Sequence, residues 1–126
     1  MRAATLLLLL LAACSVTTPL IDPKPFAAHV DKQKTETAIK AACAERGWKL
    51  DAQTDGRINA AFAFEPVRVA RVMIIWDPNE VRMSYLDSDG LNHASVTGTF
   101  ATIDPRYNDA VAKLAQAIQL QIQRLK

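Results

Sequence analysis

The sequence predicts a single α+β domain: a four-stranded antiparallel β-meander flanked by an N-terminal and a C-terminal helix packed on one face, in the order α-β-β-β-β-α. Three observations predict it. Apolar residues recur at three- and four-residue spacing near both ends of the folded part, four runs between them alternate apolar and polar side chains, and short turn signals join those runs. Short loops between alternating strands suit an antiparallel meander with one buried face, which the helices would cover.

The first thirteen residues read as an export signal rather than as part of that domain. Arg2 supplies a positive start, Ala3 to Leu11 an apolar run rich in leucine, and Ala12-Ala13 the small residues before a cut. The apolar run is about half of the ~20 residues that a membrane-spanning helix needs. It closes as Leu11-Ala12-Ala13-Cys14, the form of a lipobox. In this reading a diacylglyceryl group is attached to the Cys14 thiol, residues 1–13 are cut away, and an N-acyl chain (typically palmitate) follows on the new amine. An ordinary secretory cut, an uncleaved anchor and a chance cysteine are the competing readings. One myristoyl chain binds membranes only marginally at ~0.8 kcal/mol per buried CH₂, whereas two or three chains hold permanently. Ser15 follows the cysteine, and by the sorting rule of enteric bacteria a residue other than aspartate there points to the outer membrane, with the domain facing the periplasm.

Residues 14–28 then read as a lipidated cysteine and a linker carrying Pro19, Pro23 and Pro25. Such chain is extended and semi-stiff, and at ~3.3 Å per residue it reaches at most about 45 Å. The domain is expected over 29–126. Its first helix runs from an N-cap at Asp31 to Arg46, with Thr35, Ala38, Ile39, Ala42 and Cys43 on one stripe and Gly47 as the stop. The strands are Trp48 to Ala52, Ile58 to Phe64, Ala70 to Trp76 and Val81 to Leu86, the third apolar on both sides and therefore central. Asp87 to Ile103 reads as a long polar connection in which Ser95 to Thr102 could add an edge strand. Asp104-Pro105 caps the last helix, whose stripe is Tyr107, Val111, Leu114, Ile118, Ile122 and Leu125.

Charge excludes one class of partner. Of the 15 basic side chains only Arg2 leaves with residues 1–13, so 14 face 13 acidic ones. That balance gives no footprint for nucleic acid. With Cys14 acylated, Cys43 has no intramolecular disulfide partner and is expected to be a small buried core residue.

Several stretches together resemble a family of small bacterial lipoproteins with no established activity. They are Ala38-Ile39 leading to Arg46-Gly47-Trp48, Gly56-Arg57-Ile58-Asn59-Ala60, Val72-Met73-Ile74-Ile75-Trp76, Tyr85-Leu86-Asp87-Ser88-Asp89-Gly90-Leu91 and Ile103-Asp104-Pro105-Arg106-Tyr107-Asn108. Asp104 stands where relatives often show histidine, and Ala110 where they often show tryptophan. The resemblance implies an envelope address and a fold, and no catalytic residues.

Chemistry-bearing motifs are sparse. Asp87-Ser88-Asp89-Gly90 opens like a calcium loop, but Leu91 and Gly98 occupy the fifth and twelfth positions where oxygen ligands are required. No metal and no catalytic residue is therefore expected. The histidines, His29 and His93, lie in no nucleophile's context. Two groups remain as candidate binding residues. Tyr85, Asp87, Ser88, Tyr107 and Asn108 would meet if the last helix packs on the sheet. Arg71 and Arg82, with Arg68, would form a basic stripe beside Met73 and Ile75 on the sheet's outer face. The expectation is a non-enzymatic, lipid-anchored binding or envelope-maintenance module with a protein, lipid or glycan partner. The alternative is a small-molecule or glycan pocket near Tyr85 and Tyr107.

Overall fold

The computed structural model describes residues 16–95 and 100–126. Cys14 and the signal segment lie outside the described residues, as do residues 96–99 of the long connection. The fold is α+β, with two helices and two antiparallel sheets.

Helix α1 (Lys32–Arg46) starts at Asp31, whose side chain accepts from the Lys34 N–H at 2.8 Å. It ends at Gly47, which takes a left-handed φ of 80° while the Trp48 N–H reaches back to the Cys43 carbonyl. Strands β3 (Lys49–Thr54), β4 (Arg57–Glu65), β5 (Arg68–Trp76) and β6 (Glu80–Asp89) follow as the expected meander. Helix α2 (Pro105–Arg124) is capped by Asp104, which accepts from the Arg106 N–H, and has proline in its first turn.

Alternation decides which face is buried. Ile58 and Ala60 on β4, Ala70, Val72, Ile74 and Trp76 on β5, and Val81 and Met83 on β6 all point inward and are buried. They join the stripes of both helices in one cluster that includes Ala38, Ile39, Ala42, Cys43, Leu114 and Ile118. The small side chains of α1 let α2 lie close beside it. Trp76 ties α1 to this face by donating its indole N–H to the Lys32 carbonyl at 3.0 Å. Among the described residues no helix is long and apolar enough to cross a membrane.

Two departures from the expected layout concern the segment read as a linker. Strands β1 (Thr18–Pro19) and β2 (Phe26–Ala27) belong to the fold. β2 pairs with the start of β6 and makes the main sheet five-stranded, in the order β2-β6-β5-β4-β3. β1 joins β7 (Ala94–Ser95) and β8 (Ala101–Ile103) in a second, three-stranded sheet of order β1-β8-β7. Residues 18–28 are therefore a strap rather than a free spacer. The Leu20 N–H donates to Ala101 O, the Ala28 N–H to Asn79 O, and the Tyr85 N–H to the Asp22 carboxylate. The connection after β6 is correspondingly shorter, because β6 runs on to Asp89 and the chain re-enters strand at Ala94.

Candidate functional site

The Gly47 turn throws Trp48 across the end of the inner sheet face, next to the last two inward residues of β4, Phe62 and Phe64. Trp48 and Phe62 have ring centroids 5.3 Å apart, and Phe62 meets Phe64 edge-on at 4.9 Å. Such tilted and edge-to-face contacts are favourable beyond the area they bury. Facing them are Arg106, Asp109, Ala110 and Lys113, at helical spacing on the first turns of α2. Trp48 is buried, but the helix leaves Phe62 and Phe64 only partly covered, and a groove of about 270 Å³ opens over them.

Its rim is basic. The Arg106 guanidinium lies 5.2 Å from the Phe64 ring centroid, a cation–π placement. It is held there by Asp104 at 3.1 Å and Glu65 at 3.0 Å. Both carboxylates favour the protonated guanidinium, and Arg106 in turn holds the Asp104 carboxyl below its ordinary range. Lys113 is paired with Asp109 one turn away. Arg46, on the α1 side, has no ion-pair partner among the described residues. A second depression of about 240 Å³ shares Arg46 and Lys113 and runs on to Leu120. The arrangement can hold a flat apolar face on its floor and an anion at Arg46.

The tyrosine group is assembled only in part. Tyr85 donates to or accepts from Ser88, with 2.8 Å between the hydroxyls, and its ring stacks on His93 and meets Tyr107 edge-on. Tyr107 is fully buried, and its hydroxyl has no hydrogen-bond partner among the described residues. Burial first, and then the nearby Asp22 carboxylate, pushes that phenol above its ordinary pKa. Asn108 lies at the same place but serves the strap: it accepts from the Ile21 N–H and donates to the Pro19 carbonyl at 2.7 Å.

Asp87 is turned to the opposite face, and the cause is a bulge. Val72 pairs with Tyr85 and Arg71 with Asp87, so Leu86 is an extra residue on β6. Period-two alternation would put Tyr85 and Asp87 on one side; the bulge sends Asp87 outward. There Arg71 takes Asp87 at 2.8 Å, Asp89 at 3.0 Å and Asp51 of β3 at 3.7 Å. Arg82 pairs with Glu80, and Arg68 with Glu65. The arginines expected as a basic stripe are thus each matched by carboxylates, and the Arg71 site is net acidic. Among the described residues no cluster of histidine, cysteine and carboxylate groups is arranged to hold a metal ion.

Sequence reading had placed Trp48, Phe62 and Phe64 in strands without seeing the groove. Its signal was available in part: three aromatics fall on the inward phase at one end of β3 and β4, beyond the small residues that the helices cover. Compared with protein-family models, curated proteins and solved structures, the chain matches none.

Proposed function

We propose that this chain is a lipid-anchored envelope protein whose domain binds a ligand rather than transforming one, and that the ligand lies in the aromatic groove. The groove is the observation that carries the reading: an aromatic floor with Arg46, unpaired among the described residues, at its rim, just below the usual size range of small-molecule sites. Its chemistry suits one or two rings with an apolar face and a negative charge, as in a glycan bearing a carboxylate. The ring face would lie on Phe62 and Phe64, and the anion would meet Arg46 in a charge-assisted hydrogen bond. This moves the small-molecule alternative away from Tyr85 and Tyr107, because a fully buried Tyr107 cannot touch a ligand. The lipobox form of Leu11 to Cys14, the serine after it and the likeness to small lipoproteins support the address, which we take to be the periplasmic side of the outer membrane.

Anilinonaphthalene sulfonate, an aromatic anion, tests the groove in general, and a soluble peptidoglycan disaccharide tests the glycan reading. Both should bind the mature domain and compete with one another. Arg46→Glu, at an exposed helix end, should weaken both severalfold while leaving the thermal melt unchanged. Equal binding by the variant would remove the groove as the site.

A further inference from the structure

We infer that the small sheet β1-β8-β7 is a membrane-docking surface, lying against the same bilayer in which Cys14 is held. The inference rests on the lipid anchor proposed above and adds the orientation of the domain. Four residue steps separate Cys14 from Thr18, the first residue of β1. Fully extended they span no more than ~14 Å, whereas a headgroup layer is roughly 5–8 Å thick. The strap therefore shortens a tether of about 45 Å to less than a third of that length. The edge of the domain where β1 begins is kept at the headgroups.

What that edge presents is apolar. Val16 is 70% exposed, Ile21 63% and Phe100 61%, the three most exposed large apolar side chains after Val67. Pairing of Thr18 with Ile103 and Pro19 with Thr102, continued past the Leu20 bond to Ala101, sets Ile21 opposite Phe100. Cross-strand partners share a face, so Ile21 and Phe100 form one small patch. The other exposed large apolar residues among those described, Leu50, Val67, Ile75, Leu86 and Leu120, are spread over other parts of the fold, as on any protein surface. The strap's charges agree with the placement. Asp22 is turned to the Tyr85 N–H, and exposed Lys24 is free to reach lipid phosphates.

The test uses the mature acylated chain in vesicles of phosphatidylethanolamine and phosphatidylglycerol, with a nitrobenzoxadiazole dye on one introduced cysteine. Ile21→Cys and Phe100→Cys probe the patch, and Thr54→Cys probes the β3–β4 hairpin at the far end of the main sheet. Cys43 is buried and stays unlabelled. Nitroxide carried on lipid headgroups should quench the dye at Ile21 and Phe100 severalfold more than at Thr54. Equal weak quenching at all three, with the acyl mass present on Cys14, would overturn the docking surface and leave the anchor standing. A Cys14 without acyl mass would overturn both.

Discussion

Tyr107 puts a polar atom in the core with no hydrogen-bond partner among the described residues. A buried hydroxyl without a partner costs about 1–3 kcal/mol, so the phenol is kept for the ring, which packs on Tyr85 and the last helix's neighbours. Tyr107→Phe retains the ring, and it should raise stability by about 1 kcal/mol in urea denaturation at neutral pH. Cys43 shows the same physics through its titration. Burial pushes its thiol from 9.0 up to about 12, so the folded chain stays protonated where the unfolded chain ionises. Unfolding then releases a proton, and stability must fall with pH in that window. The thiol's contribution is complete below 9.0 and lost as pH climbs toward about 12. Melting curves between these limits should decline less steeply for Cys43→Ala than for the parent chain. At neutral pH the same thiol should resist alkylation until the protein is denatured.

At the level of elements, the strap hangs on Asn108. One side chain accepts from Ile21 and donates to Pro19, and so fixes the end of β1 and the chain just after it. Asn108→Ala should cost about 1 kcal/mol, and hydrogen exchange at the Leu20 and Ile21 amides should quicken while the central strands β4 and β5 stay protected. The main elements were legible because their signals are local. Asp31 and Gly47 bound the first helix, Asp104 and Pro105 open the second, and alternation marks the four long strands. β1 and β2 have two residues each, one containing Pro19 and the other following Pro25, and no window of sequence contains their reason for forming. It lies in β8 and β6, more than fifty residues away. The bulge at Leu86 was hidden for a related cause. Alternation reads Tyr85 and Asp87 as one face, and only the pull of Arg71 opposite shows why the register slips. The groove needed the packing of α2 as well, since Phe62 and Phe64 read as ordinary core until the helix is seen to stop short of covering them.

For the molecule as a whole, the groove and the small β1-β8-β7 sheet belong to one end. Arg106 on the groove's rim bonds Asp104, which follows β8 directly, so the ligand site lies beside the surface assigned to the bilayer. Cys14→Ser should abolish incorporation of labelled palmitate and move the protein from the membrane to the soluble fraction; retention at the parent level would contradict the tether. The strap also sets an order of events in time. Its bonds from Pro19 and Ile21 to Asn108 span 89 and 87 residues, so on the proposed export route they cannot form until nearly the entire polypeptide has crossed, N-terminus first. Until then residues 18–28 are not yet fastened to the domain, and the proposed acylation and cut at Cys14 would come before the strap is in place. Completion of the C-terminal helix then fastens the strap, and on the proposed anchor that last step of folding would seat the domain on its membrane.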